Sequence, residues 1–186
     1  MQDISRRDLS IPTAESCTGG AVATLLADVE GVSHAFDSGF VTYSDDAKAR
    51  YLGVDAQLIA EHGTVSREVP VAMADGALQR SGASFALSVT GFAGATEEGR
   101  EGELHFALAA RQDGTVERHE EFGPLGRRLI RELCMRVLLS STGSVFALQR
   151  KACGLISQFP LTRHAFRHFA KDGPGREFAP FHSRAE

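Results

Sequence analysis

Thr13-Ala14-Glu15-Ser16-Cys17-Thr18-Gly19-Gly20, running directly into Ala21-Val22-Ala23-Thr24-Leu25-Leu26, decides how the chain is read. The apolar segment Leu9 to Ala14 before the turn reads as a strand, and the run after it reads as a helix. Strand, tight polar turn and helix start form the unit from which layered α/β folds are built. Such a turn can present a nucleophile beside unpaired backbone N–H groups, which with the helix dipole can hold an oxyanion or a phosphate. Two nucleophile types, Ser16 and Cys17, stand side by side in it. The spacing is neither G-x-S-x-G nor G-x-x-x-x-G-K-[ST], so neither a hydrolase elbow nor a P-loop follows. Taken alone, the same residues also read as a polar turn that caps a helix.

Strand and helix signals alternate outward from this unit. Ala35 to Tyr43 has the aromatic and β-branched content of a strand. Ser44 reads as an N-cap, with Asp45 and Asp46 in the first turn of a helix that reaches Leu52 and stops at Gly53. Asp55 caps a shorter helix to Glu61, and another starts near Ser66 with Val69, Ala72, Met73, Ala77 and Leu78 on its apolar face. Ser84 to Val89 is a compact apolar run of the kind buried in mid-sheet, and it ends in a second small-residue turn, Thr90-Gly91-Phe92-Ala93-Gly94. Leu104 to Ala109 and Val116 to Phe122 read as a hairpin around Gln112-Asp113-Gly114. A last helix runs from near Leu125 to Leu139, with Leu129, Ile130, Leu133, Val137 and Leu138 inward. The expected fold is a three-layer α/β/α sandwich with a mixed central sheet. In such sheets functional loops gather at the carboxyl ends of strands, where both small-residue turns fall.

The 186 residues carry 42% hydrophobic side chains, enough for a packed core in one domain. Residues 1–140 form the expected domain and 141–186 a basic C-terminal extension, partly helical or disordered. That extension holds seven Lys/Arg against three acids, so its charge is +4, the body's is −8 and the whole chain's is −4. Such a balance argues against membrane or direct nucleic-acid binding. Cys17, Cys134 and Cys153 are too few and scattered for a disulfide framework or a zinc cage, which points to reduced thiols and a cytoplasmic setting. No 18-residue apolar run exists and Met1 to Ser10 is polar, so neither a transmembrane helix nor a signal peptide is expected. His164 and His168 lack the H-E-x-x-H glutamate and read as a solvated helix face rather than a metal site.

Several of these motifs agree in order and spacing with one family. Thr13 to Gly20, Gly39 to Lys48, Leu52-Gly53-Val54, His62 to Ser66, Met73 to Ala77, Ser88 to Gly94 and Phe106-Ala107-Leu108 resemble the C-terminal domain of the competence/damage-inducible protein CinA. The resemblance spans about residues 8 to 139. It implies an amidohydrolase that converts nicotinamide mononucleotide (NMN) to nicotinic acid mononucleotide and ammonia, without metal or cofactor, and a homodimer. It also implies Ser16 as nucleophile, Lys48 as its base and Tyr43 as the proton relay. An amide is a poor electrophile, so its hydrolysis needs an activated nucleophile, a proton donor for the leaving ammonia and oxyanion stabilisation. A lysine serves as base only when neutral, and bringing one from ~10.4 to ~7 requires about 4–5 kcal/mol, within reach of desolvation. By the same resemblance Thr18, Gly19 and Gly20 offer N–H groups to the oxyanion or phosphate, and Thr90, Gly91 and Gly94 form the opposite lip. Arg127, or Arg131 one turn on, would meet the phosphate, while Arg128 beside them reads equally as a solvated face. Cys17 is the rival nucleophile.

Two features depart from the family pattern. The loop after Gly94 is short and acidic, with Glu97, Glu98, Glu101 and Glu103 where the family carries glycines and a Lys-Pro pair. Facing the pocket, those carboxylates would repel a phosphate. The basic tail has no counterpart in the family pattern. These departures motivate the alternative reading of a non-catalytic, nucleotide-binding adaptor in competence or DNA-damage responses.

Overall fold

The computed structural model describes residues 10–28 and 36–139. Expectations for the tail, for Cys153, and for His164 and His168 lie outside the described residues.

The chain order is β1 (Ile11–Glu15), α1 (Ala21–Ala27), β2 (Phe36–Val41), α2 (Asp45–Ala47), α3 (Ala56–His62), α4 (Glu68–Arg80), β3 (Phe85–Gly91), β4 (Glu103–Ala110), β5 (Gly114–Glu121) and α5 (Arg127–Leu139). The strands form one sheet in the order β2-β1-β3-β4-β5. β1 lies parallel to both β2 and β3, while β4 runs antiparallel to β3 and β5. The sheet is therefore mixed, as the crossovers and the hairpin required. Among the described residues no helix is long and apolar enough to cross a membrane.

Alternation along the central strands splits the core into two layers. Ile11, Leu87, Val89, Leu104, Phe106 and Leu108 face α1 and α5, where they meet Val22, Leu26, Ile130 and Cys134. The opposite face carries small residues, Ala14, Ala86, Ala107 and Ala109, and packs against Leu52, Ile59, Val69, Met73 and Ala77. Large side chains on one face and alanines on the other let α4 approach the sheet closely. Gly76 of α4 continues this economy: a Cβ there would lie 2.0 Å from the Leu52 carbonyl oxygen. The three-layer α/β/α sandwich is the observed fold.

Local details differ from the expected pattern in two places. α2 is capped by the Ser44 hydroxyl, which accepts from the Ala47 N–H at 3.2 Å. It then widens into a π-helical turn, Lys48–Leu52, that ends at Gly53 with φ 73°. Such wide turns are frequent at functional sites. Leu129, expected to point inward, is among the exposed large apolar residues, because α5 begins at Arg127 and presents Ile130 and Cys134 to the core instead.

Candidate active site

The turn after β1 is organised by a residue that hydrophobic patterning passes over. The Glu15 side chain is buried and folds back across the start of α1. Its carboxylate accepts from the Thr18 hydroxyl at 2.7 Å and from the N–H groups of Gly20, Val22 and Ala23 at 3.0, 3.0 and 2.8 Å. Gly19 and Gly20 adopt φ of 62° and 93°, which lets the chain fold this tightly. The Gly19 N–H is bonded to the Ser16 carbonyl at 3.1 Å. These contacts correct the expectation of free amides at Gly19 and Gly20: the positive end of α1 already holds an anion, and it is the protein's own. Thr18 is likewise engaged, since its carbonyl also accepts from Arg131 Nη2 at 2.5 Å.

Ser16 stands at the carboxyl end of β1, its N–H bonded to the Val89 carbonyl of β3 at 3.0 Å. A cavity of about 430 Å³ opens there. Its wall brings together Ser16, Tyr43 and Lys48 with the Thr90–Gly94 turn and Arg127. Thr18, Gly19 and Gly20 are not part of this wall; both glycines border a neighbouring cavity of about 570 Å³ between α1 and α5. Arg127 borders both cavities, whereas Arg128 and Arg131 border only the second. Glycine is required at one lip position on grounds of space: a Cβ at Gly91 would lie 2.5 Å from the Glu103 carbonyl oxygen. Gly94 sits against the Arg127 guanidinium, whose Nη2 would be 2.7 Å from an added Cβ and can move aside.

Lys48 is 1% exposed, the largest fully buried side chain in the protein's described part. The π-turn places it on the inner side of the helix. Its ammonium donates to Asp45 Oδ1 at 3.0 Å and to Thr64 Oγ1 at 2.9 Å. The Thr64 hydroxyl in turn donates to Asp45 Oδ1 at 2.6 Å, closing a three-member network. Partial burial raises the Asp45 pKa, but the Thr64 hydroxyl and the Lys48 ammonium outweigh it and hold the carboxyl below its ordinary value. Among the described residues no hydrogen bond joins Lys48 to the Ser16 hydroxyl. Tyr43 is 62% exposed at the mouth, where its hydroxyl accepts from Arg127 Nη1 at 3.3 Å.

Cys17 borders the same cavity, yet its side chain belongs to the α1/α5 core. There it shares the core with Cys134, whose thiol is pushed far up by the neighbouring Cys17 thiol and by burial. The acidic loop turns away. Glu103 pairs with Arg100 through contacts of 2.7 and 2.8 Å, Glu98 meets the same guanidinium at 3.5 Å, and Glu101 accepts the Gly126 N–H at 2.8 Å. The loop gives the cavity only Ala95 and Thr96. Arg100 also stacks 4.8 Å from the Phe92 ring centroid and donates to the Val65 carbonyl at 3.1 Å.

A serine and a buried lysine on one cavity wall, at the carboxyl ends of two parallel strands, define an α/β protein with a candidate nucleophile site. Residues 1–145 match the family model described as the CinA C-terminal domain, and the chain belongs to that family. Nicotinamide-nucleotide amidohydrolase PncC of Escherichia coli K12 is 44% identical over 124 residues, 65% of this chain and 75% of the relative. A putative competence-damage inducible protein of Symbiobacterium thermophilum is 50% identical over 111 residues, but these span 58% of this chain and only 26% of the relative's length. Among solved structures, competence/damage inducible protein CihA from Agrobacterium tumefaciens superposes with a TM-score of 0.68 at 41% identity, covering 73% of this chain and 84% of that one.

Proposed function

We propose that this chain is a nicotinamide-nucleotide amidohydrolase that releases ammonia from NMN through a covalent serine intermediate. The observation that carries the reading is the buried Lys48 sharing one cavity wall with Ser16, in a chain 44% identical to an amidohydrolase of that name. A volume of about 430 Å³ is in the range of small-molecule sites.

In the proposed cycle neutral Lys48 takes the proton from the Ser16 hydroxyl as Oγ attacks the carboxamide carbon. The tetrahedral oxyanion collapses, the C–N bond breaks, and ammonia leaves with the proton that Lys48 returns through Tyr43. Water then attacks the acyl ester as Lys48 takes its proton, the C–Oγ bond breaks as Lys48 passes that proton to the Ser16 oxygen, and the acid product leaves as its carboxylate, its own proton going to the ammonia. Lys48 must exchange Asp45 and Thr64 for Ser16 before the first step. In this reading Arg127, hydrogen-bonded to Tyr43 at the cavity mouth, meets the nucleotide phosphate. Residues 1–140 form the catalytic unit, 141–186 an appended basic segment, and the working form is a cytoplasmic homodimer.

Purified full-length protein incubated with NMN should release ammonia and nicotinic acid mononucleotide in equal amounts. Absence of both products from folded protein overturns the proposal. Ser16→Ala should abolish release and Cys17→Ala should retain it. One observation favours the second reading, a nucleotide-binding adaptor: Lys48 is tied to Asp45 and Thr64 rather than to Ser16. Calorimetric NMN binding without turnover would select it.

A further inference from the structure

Alternation along the β4–β5 hairpin sets Glu103, His105, Glu117, His119 and Glu121 on one face, with Glu103 paired to Glu121 and His105 to His119 across the ladder. This is the face whose deeper positions, Ala107 and Ala109, pack under α4. None of the five borders the 430 Å³ cavity. A carboxylate oxygen of Glu103 and ring nitrogens of His105 and His119 all lie within 4.8 Å of one another.

The orientation of His105 is fixed from behind. Its Nδ1 lies 2.9 Å from Glu117 Oε1, and since a carboxylate only accepts, Nδ1 carries the proton. Nε2, on the other side of the ring, faces Glu103 Oε1 at 3.5 Å. A carboxylate that orients a histidine toward a gap lined by a second carboxylate is the arrangement by which proteins prepare imidazole for a metal ion. His119 stacks on His105 with centroids 4.5 Å apart and is half-exposed, so it can swing into the gap. Donors on a tetrahedral zinc ion stand about 3.4 Å apart, which a swing of that one ring supplies.

The local charge favours a cation. Among the described residues four carboxylates, Glu98, Glu103, Glu117 and Glu121, meet two guanidiniums there, Arg67 and Arg100. Arg100 donates one hydrogen bond to each Glu103 oxygen, and each oxygen retains a second lone pair for a metal.

We infer that Glu103, His105 and His119, backed by Glu117, form a three-ligand site for a divalent zinc-class ion that clamps β4 to β5 at the open end of the hairpin. It lies outside the catalytic cavity and does not depend on the amidohydrolase reading.

The test is titration of the chelator-treated full chain with Co²⁺, read by visible absorption, and with Zn²⁺, read by thermal melting. The expected result is one equivalent bound with d–d bands of a four- or five-coordinate ion, and a rise in Tm with Zn²⁺. His119→Ala should weaken binding at least tenfold while leaving the far-UV circular dichroism unchanged. Glu117→Gln should weaken it about 10- to 100-fold. No absorption band and no Tm shift overturn the proposal. So does binding that survives in His119→Ala, or that disappears instead in His164→Ala/His168→Ala.

Discussion

Lys48 Nζ lies 3.0 Å from Asp45 Oδ1, one helical turn away, with the lysine fully buried and the aspartate half-exposed. The pair is thus asymmetric: the cation has no water to fall back on, while the anion does. Lys48→Met keeps most of the side-chain volume and removes the charge that Asp45 balances. We expect the variant to stay folded and to lose NMN hydrolysis by about 10²- to 10⁴-fold, the range of a general base. Initial-rate measurements with a parallel melting curve check both halves.

Asp45 and Glu103 share an electrostatic signature with a consequence for acid stability. For Glu103 the Arg100 guanidinium outweighs burial, and for Asp45 the Thr64 and Lys48 contacts do; both carboxyls are held below their ordinary values. A folded-state pKa below the unfolded one adds stability above the unfolded value, near ~4, and that stability is lost as pH falls through the folded value. Tm should therefore fall as pH drops below about 4, and the fall should be shallower in Asp45→Asn and Glu103→Gln. Calorimetric scans between pH 3 and 6 read the slope.

Glu15 gathers three backbone N–H groups and a hydroxyl from the start of α1. Glu15→Ala leaves these donors, two buried and two partly buried, without their acceptor. A single hydrogen bond to a charged group contributes about 1.5–3 kcal/mol, so we expect at least about 3 kcal/mol of destabilisation. Urea unfolding should show a lower midpoint, and Glu15→Gln should recover part of it.

Gly76→Ala tests the close packing of α4 on the π-turn. The added methyl would meet the Leu52 carbonyl at 2.0 Å, so α4 must shift. Overpacking of this kind costs about 1–3 kcal/mol, despite the better helix propensity of alanine. Denaturant midpoints of the two proteins settle the sign.

The sheet and its order of helices were legible because burial writes itself into the sequence. β3 is buried without a break from Phe85 to Thr90 and is mostly apolar, and the caps at Ser44 and Asp55 hydrogen-bond as their residue types indicate. The Ser16, Tyr43 and Lys48 grouping came from motif resemblance, because a lone lysine on an amphipathic helix carries no sign that it points inward. Glu15 was illegible for the same reason in reverse: a buried carboxylate contradicts the pattern used to find buried positions. The Cys17 contact with Cys134, and the turning of the acidic loop by Arg100, join residues that only the folded chain brings together. The acidic residues were visible. Their direction was not.

Because the Glu15 carboxylate satisfies the opening amides of α1, the scaffold has no backbone charge left there to offer a visiting anion. Under the proposed function, recognition of the nucleotide phosphate would then fall to side chains, with the Arg127 guanidinium on the cavity wall the candidate. Such recognition is screened by salt and can be rewritten by single substitutions, whereas a backbone cradle cannot. In this chain ligand preference is separable from fold: the anion selectivity can drift in evolution, or be engineered, without disturbing the strand, turn and helix that hold Ser16.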